Sequence, residues 1–465
     1  MPARKQSVMT AIMNKVFHLT DNYYEGTPIP SENLSDVMRI ANIGKLRNGP
    51  ELLVFPHSFS ELEDGIEDLS ILSLKDCEYE NGKCMSAKAC TGNLMGFVGI
   101  NETSISIHSR FTHGKHNGIV DADGKDYFLY YMLQKVFSIN IFNFEHTSNQ
   151  EDKILDFLLY LFPYMLNKAL QQGIYKEYQC HHYDNPRVKG TIEIGRYIRN
   201  DIPFRGNISY RMHEFCFDNP MTQLIRHTIE YIKHNSIGAS ILCSGQETRD
   251  NVSKIIQVTS SFDKRDLVKI INANRKPKIH PYFTAYKDLQ LLCMRILCHD
   301  SLKYGENKDK VYGILFDGAW LWEEYLYTIL KEHGFKHPKN KASKGGIRMF
   351  EKTNDEDYFD NNSRRMYPDF WKENYILDAK YKHLNGKVGR EDLYQVVSYM
   401  HCMKAENGGY IYPNEGEYKT SKYQLGGYGG MLKVIPFEVP QDADKWAEFI
   451  EKIEHSQKEL ISSIT

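Results

Sequence analysis

YPDFWKENYILDAKYK, residues 367–382, reads as a two-stranded ribbon. Pro368-Asp369 opens the first strand, and the apolar run Tyr375-Ile376-Leu377 leads into Asp378-Ala379-Lys380 on the second. Lys372, Glu373 and Asn374 supply a polar turn between them. Side chains alternate along a strand, so Asp378 and Lys380 share a face while Ala379 points away. Two carboxylates converging on one point make a hard-oxygen site of the kind Mg2+ prefers. A lysine one pleat further on can hold or deprotonate a water beside such an ion. A surface hairpin with a cross-strand salt bridge would use the same residues, so the flanking sequence has to decide.

Residues 318–333 carry apolar side chains at Leu321, Trp322, Tyr325, Leu326, Ile329 and Leu330, which is the helical period, and Gly334 follows as a stop signal. On that helix Glu323 falls beside Leu330 at the flank of the apolar stripe, and Glu324 falls on the opposite, wet side. A glutamate at the edge of a buried face needs a partner. A water on a metal ion or a salt bridge to a neighbouring helix would each serve. Residues 391–403 form a second helix with a core stripe of Leu393, Val396, Val397 and Met400. Beside it Asp392, Gln395, Tyr399 and Cys402 share one face. Placed over the ribbon, Gln395 can orient a water or a phosphate oxygen, and Tyr399 can pack on a sugar or base. Turned to solvent, the row would be an ordinary polar face, although Gln and Tyr are less usual there than Glu and Lys.

A glutamate on a helix, then Pro-Asp, then Asp-x-Lys, then a Gln-x-x-x-Tyr helix resembles the PD-(D/E)xK nuclease superfamily. The wording WEEYLYTIL…YPDF…YILDAKYK…DLYQVVSYM…GGYIYP is similar to the C-terminal half of the McrC family, the nuclease subunit of McrBC-type 5-methylcytosine-dependent restriction systems. The resemblance implies a restriction-endonuclease-like α/β domain with Mg2+ as cofactor and Asp369, Asp378 and Ala379 at the metal. It implies Lys380 as the residue that activates the attacking water, Glu323 as the helix acid and Gln395 as the supporting polar residue. DNA contacts would then come from Lys341, Lys344 and Arg348, a basic loop-to-strand segment ahead of the acidic NDEDYFDNN, and from Lys382 and Tyr399.

The chain has 465 residues and a net charge of −2, enough for two or three domains with real cores. Near-neutrality does not exclude a DNA partner, because local clustering of basic residues is what matters. Nine cysteines without Cys-x-x-Cys spacing indicate neither a zinc ribbon nor a disulfide scaffold, although Cys77, Cys84 and Cys90 lie in one region. No signal peptide and no apolar run long enough to span a bilayer is present, so the chain reads as cytoplasmic.

The expected fold class is an α+β or α/β multidomain protein in three parts. Residues 1–135 form a β-rich, partner-binding unit, 136–305 a mostly helical stalk, and 306–465 the PD-(D/E)xK nuclease domain. Short strands are expected at 51–55, 94–100 and 104–108, the last two joined at Asn101-Glu102. The run LMGFVGINETSISIHSRF also resembles the N-terminal part of McrC proteins, with Arg110-Phe111 where Pro-Lys-Phe is frequent. Helices are expected at 126–136 and 151–171, the second apolar almost all round and interrupted by Pro163. Residues 178–211 read as extended or loop structure carrying Arg187, Lys189, Arg196, Arg199, Arg205 and Arg211. These can grip phosphates or a partner ring, or form a solvated face offset by Glu193, Asp201 and Glu214. The segment NPRVKGTIEIGRYI followed by EFCFDNPMTQLIRHTIEYI is similar to the middle of McrC, with Gln223 where Asn is usual. Residues 225–302 read as largely helical, 303–310 as a polar hinge, and 443–460 as a closing amphipathic helix.

Gly426-Gly427-Tyr428-Gly429-Gly430 lacks a Gly-Lys-(Ser/Thr) ending, and no Walker A motif occurs elsewhere, so nucleotide hydrolysis is not expected of this chain. The resemblance implies a motor in trans: an McrB-like AAA+ GTPase hexamer that reads modified double-stranded DNA and is stimulated by the N-terminal part of this chain. A PD-(D/E)xK nuclease of repair or mobile-element origin acting without McrB, and a non-catalytic adaptor of a ring ATPase, are the competing functions. The intact Asp369, Asp378 and Lys380 argue against the adaptor.

Overall fold

The computed structural model describes residues 15–41, 52–56, 71–80, 83–100, 103–112, 115–116, 119–120, 126–137, 150–235, 238–276, 280–304, 312–338, 346–350, 365–382, 384, 387–416, 418–427 and 429–464. They form a mixed α/β protein of two compact units. Residues 1–139 and 307–465 make one, and residues 140–306 make the other.

The first unit begins with β1 (Lys15–Thr20), β2 (Thr27–Pro28), α1 (Leu34–Ala41), β3 (Leu52–Phe55), β4 (Leu72–Glu80), β5 (Lys83–Thr91), β6 (Leu94–Ile100), β7 (Thr103–His108), β8 (Lys115–His116), β9 (Ile119–Val120) and α2 (Tyr127–Phe137). The antiparallel β6–β7 pair expected from the alternating run 94–108 forms, with Ile100 opposite Thr103. The Asn101-Glu102 turn itself lies outside the described residues. β4 and β5 form a separate antiparallel ribbon edged by β2. Cys77, Cys84 and Cys90 lie on it as free thiols.

The second unit holds α3 (Gln150–Leu170), β10 (Glu177–Asn185), β11 (Thr191–Ile192), α4 (Ile194–Asn200), β12 (Ile208–Cys216), α5 (Pro220–His234), α6 (Gly238–Leu242), α7 (Gln246–Val258), α8 (Leu267–Ala273) and α9 (Ala285–Tyr304). α3 packs on α9, and α5 packs on α9, α8 and α7. Leu158, Phe162, Leu224, Ile229, Leu292 and Ile296 are fully buried there, as an all-round apolar helix requires. α3 stays helical through Pro163. Residues 178–211, expected as extended or loop structure, supply most of an antiparallel sheet ordered β10-β12-β11, and depart from that expectation only in the short helix α4. Neither nine-residue strand of that sheet is buried along its length: half-covered and exposed side chains alternate, and Tyr178 and Phe215 are among the exposed ones. Asn219 caps α5 through a reciprocal box with Thr222. Gln223 donates to Asp218 and to Ser261, so the amide in the usual Asn position ties the helix start to the turn that follows α7.

The chain returns to the first unit with β13 (Tyr312–Asp317), α10 (Gly318–Leu330), β14 (Ile347–Arg348), β15 (Arg365–Met366), β16 (Phe370–Lys372), β17 (Tyr375–Ala379), α11 (Arg390–Met403), β18 (Asn407–Asn414), β19 (Ser421–Gln424), β20 (Met431–Glu438) and α12 (Trp446–Ile464). Sequence reading separates 1–135 from 306–465, but β13 lies inside the N-terminal sheet, whose order is β3-β13-β6-β7-β1-β9-β8. It runs parallel to β3 and antiparallel to β6. The first and last thirds of the chain therefore share a sheet. A second sheet has the order β16-β17-β18-β20-β19, with β17, β18 and β20 parallel. α11 packs on β17 and β18, α12 on β20, and α10 on α2 and β17.

β6 and β13 approach each other through glycines. A Cβ on Gly96 would lie 2.3 Å from the Ile314 carbonyl oxygen, and one on Gly313 would lie 2.2 Å from that of Phe97. Gly96 also has φ +128°, a region that L side chains avoid. Gly96→Ala is expected to cost roughly 2–4 kcal/mol from over-packing and backbone strain together. Denaturant unfolding checks this, and a variant as stable as the wild type would contradict so close an approach.

Candidate active site

α10 starts directly from β13. The Asp317 carboxylate accepts the Trp320 N–H at 3.0 Å and caps it. Trp322, Tyr325, Leu326 and Leu330 are buried, and Gly334 ends the segment in the left-handed conformation, φ +83°. The apolar stripe thus turns as its spacing demands, and Glu323 comes to its partly buried edge. Glu324, expected on the wet side, is also partly covered and stands 3.9 Å from His337 Nε2.

The ribbon forms as an antiparallel pair with Phe370 opposite Leu377 and Lys372 opposite Tyr375. Glu373 in the turn has φ +40°, which its place at the tight corner requires. β17 is buried over all five residues because β16 and β18 flank it and α10 and α11 pack against it. Parallel pairing sets Ile376 beside Gly408 and Asp378 beside Tyr410. Ile376 and Tyr410 belong to the cluster that includes Val396 and Met400 of α11, so Asp378 lies on the face that α11 covers.

Asp369 and Asp378 are 8 % and 2 % exposed. One Asp369 oxygen, Oδ2, accepts the Ala379 N–H at 2.7 Å, fixing the Pro-Asp corner against the Asp-Ala-Lys strand. His337 Nδ1 lies 2.6 Å from the Asp369 carbonyl oxygen, and its ring packs on Phe370. Burial, then the Glu323 charge, then the Asp378 charge push the Asp369 carboxyl well above the usual carboxylate range, against the Ala379 N–H and Lys380. Burial raises Asp378 as well, although Lys380 opposes it. Asp378 Oδ2 is buried and forms an ion pair with Lys380 Nζ at 2.8 Å. Burial pushes the Lys380 ammonium down, but Asp378 and Asp392 outweigh it and hold it above its ordinary range.

The site is therefore rich in buried carboxyl groups, whose ionisation one ammonium does not fully support. A divalent cation between Asp369 and Asp378 would supply what burial withholds. Among the described residues no group of three or more His, Cys, Asp or Glu forms a ready-made cage. Two carboxylates are nevertheless a donor set that suits Mg2+, which keeps several of its own waters.

The remaining candidates separate clearly. Gln395 Oε1 lies 3.4 Å from Lys380 Nζ, and its amide donates to the Tyr399 hydroxyl at 3.0 Å. Tyr399, expected on the sequence to meet DNA, is largely covered. It is 8 % exposed, its ring belongs to the cluster under α11 and its hydroxyl is taken by Gln395. Lys382 is half-exposed and pairs with Asp392 at 2.7 Å. Arg348 is exposed on β14, opposite Arg365 of β15. Lys341 and Lys344 lie outside the described residues, as does the acidic stretch 354–362. Ala379 contributes its N–H to Asp369 and sits buried between the two aspartates of the ribbon.

Sequence reasoning missed His337, Tyr381 and Gly318 here, and the partners of Asp392. His337 carries no local signal. Tyr381 follows Lys380 and turns the other way: its hydroxyl lies 3.0 Å from Ser109 Oγ, and its ring lies 4.7 Å from the Arg110 guanidinium. Gly318 has no room for a side chain because a Cβ there would meet that ring at 2.6 Å. Asp392 had a signal, its place on one helix face with Gln395, but not its partners.

A family model described as the McrBC 5-methylcytosine restriction system component matches residues 89–413. No curated protein matches the chain. Among solved structures, the tetradecameric assembly of Thermococcus gammatolerans McrB AAA+ hexamers with bound McrC contains a similar chain, 14 % identical over 97 % of this chain and 100 % of that one, with a TM-score of 0.48. A chain of the Thermococcus gammatolerans McrBC complex is 13 % identical over 68 % of this chain and 87 % of that one, with a TM-score of 0.32. The family match takes in the β6–β7 pair, the second unit, α10, the Asp369–Lys380 ribbon and nearly all of β18, and on it the chain belongs to the McrBC 5-methylcytosine restriction system component family.

Proposed function

We propose that this chain is the Mg2+-dependent DNA endonuclease subunit of its restriction system, with α10, the ribbon, α11 and β18 as a PD-(D/E)xK nuclease domain. The observation that carries the proposal is the convergence of buried Asp369 and Asp378 with Lys380, whose ammonium is 2.8 Å from Asp378. Asp369 and Asp378 hold the metal, with Ala379 at the same corner and Glu323 adding negative charge beside it. When bound, Mg2+ supplies the Lewis-acid charge that draws electrons from a scissile phosphate. Lys380 remains a charged donor, held by its carboxylates, and is suited to orient the attacking water and to neutralise charge gathering on the phosphoryl oxygens. Gln395 keeps that ammonium towards α11. Lys382 and Arg348 offer half-exposed and exposed charge for backbone phosphates, and Lys341 and Lys344 are assigned the same role.

The partner is an McrB-like AAA+ GTPase hexamer that delivers modified double-stranded DNA in the cytoplasm. No helix among the described residues is long and apolar enough to cross a membrane. The second unit suits partner contact. It exposes Ile194, Ile198, Ile202 and Phe204 beside a basic segment in which Arg196 is paired with Glu193 at 2.7 Å. The test is plasmid cleavage, methylated against unmethylated, with Mg2+ and with the partner and GTP each present or withheld. Cutting that needs Mg2+, methylation, GTP and the partner together is the expected result. Cutting by the lone chain regardless of GTP and methylation would instead assign it to an independent nuclease, and no cutting under any condition would remove the nuclease assignment.

A further inference from the structure

Lys380 is held by more than the metal-site aspartate. An ammonium has three N–H donors, and three acceptor oxygens surround this one: Asp378 Oδ2 at 2.8 Å, Asp392 Oδ1 at 3.1 Å and Gln395 Oε1 at 3.4 Å. Asp392 and Gln395 are three residues apart on α11 and so present one face to the strand. The other Asp392 oxygen, Oδ2, takes Lys382 at 2.7 Å. Lys380 and Lys382 are one pleat apart, so a single carboxylate bridges two like charges on successive positions of the same edge.

Asp392 is itself fixed from beneath. The hydroxyl of Tyr410 donates to the Asp392 carbonyl oxygen at 2.7 Å. Tyr410 is fully buried and is the register partner of Asp378 on the neighbouring strand. One residue pair on β17 and β18 therefore sets both ends of the arrangement: Asp378 receives the ammonium, and Tyr410 anchors the helix residue that holds it from the other side.

On this geometry, and resting on the nuclease reading above, we propose that Asp392 is a positioning residue: it seats Lys380 against Asp378 and keeps Lys382 from displacing or repelling it. Asp392 does not touch the metal or the phosphate. It acts through the lysine, as partners of metal-site ligands commonly do, where their loss costs about 10–100-fold. Its side chain is partly exposed and replaceable without opening the core.

The experiment is steady-state cleavage by the full complex with wild type, Lys380→Ala, Asp392→Asn and Asp392→Glu. Asp392→Asn keeps the shape but loses the charge and one acceptor oxygen. It is expected to lower kcat about 10–100-fold with the KM for DNA within about twofold, while partner GTPase stimulation and melting temperature stay near wild type. Asp392→Glu, which retains two anionic oxygens, is expected to recover most of kcat. Three outcomes overturn the proposal: Asp392→Asn cutting like wild type while Lys380→Ala is dead, an effect confined to KM, or no rescue by Asp392→Glu with both variants folded. If the wild type itself does not cut, the nuclease reading fails and Asp392 has no lysine to position for catalysis.

Discussion

Asp369→Asn is expected to abolish cleavage, by about 1,000-fold or more, and at the same time to make the metal-free protein more stable. Asp369 is buried, and burial, Glu323 and Asp378 all disfavour its ionised form. A carboxyl whose folded pKa lies above its unfolded value stabilises the fold only at low pH. That contribution is complete below the unfolded pKa and is lost as pH rises through the folded one. At neutral pH the folded wild type therefore carries an unfavourable carboxyl, whether ionised in a buried place or kept protonated above its unfolded pKa, and an isosteric amide removes that cost. Asn still accepts the Ala379 N–H through its oxygen. The gain is roughly 0.5–2 kcal/mol, the range seen when a functional group is traded for stability. Mg2+ should raise the melting temperature of the wild type and leave that of Asp369→Asn nearly unchanged, since binding to the folded state stabilises by mass action. Thermal unfolding with and without Mg2+ across neutral pH checks both signs. A destabilised variant, or equal protection by Mg2+, would show that the carboxylate is structural.

The second large effect is expected at Arg110. Its guanidinium and backbone N–H both reach the Asp21 carboxylate, with Nη2 to Oδ2 at 2.6 Å, and Nη2 also donates to Asn93. Asp21 is 1 % exposed, and burial raises its pKa even against Arg110. The pair is weak evidence for stability as it stands, but removing one partner strands a buried charge. Arg110→Leu is therefore expected to cost about 3–5 kcal/mol, read by denaturant unfolding. Asp21→Asn in the same chain should return much of it. The damage should extend to the candidate site, because the guanidinium lies over the ring of Tyr381, next to Lys380. A loss below about 1 kcal/mol would mean that water reaches Asp21.

The ribbon and its two flanking helices were legible because their signals are local. Apolar period, the Glu373-Asn374 turn and the Gly334 stop all lie within a few residues of what they control. β13 was not, because a strand is defined by partners, and those of Tyr312–Asp317 stand more than two hundred residues away in β3 and β6. The same reason hid β1, whose Lys15–Thr20 run pairs with β7. At the site, helical spacing correctly put Asp392, Gln395 and Tyr399 on adjoining positions but could not say what covers them. Tyr399 faces the core and Asp392 faces two lysines, a difference set by the packing of α11 on β17 and β18. The two-sided hold on Tyr381 likewise belongs to residues from opposite ends of the chain.

The most direct measurement compares wild type with Lys380→Ala in the assembled complex, reading cleavage of methylated DNA and GTP hydrolysis from the same reaction. Among the described residues the Lys380 ammonium is held by the side chains of Asp378, Asp392 and Gln395. Loss of cleavage with GTPase stimulation intact is the result predicted for a nuclease whose lysine serves chemistry alone. Undiminished cleavage by Lys380→Ala would contradict the account.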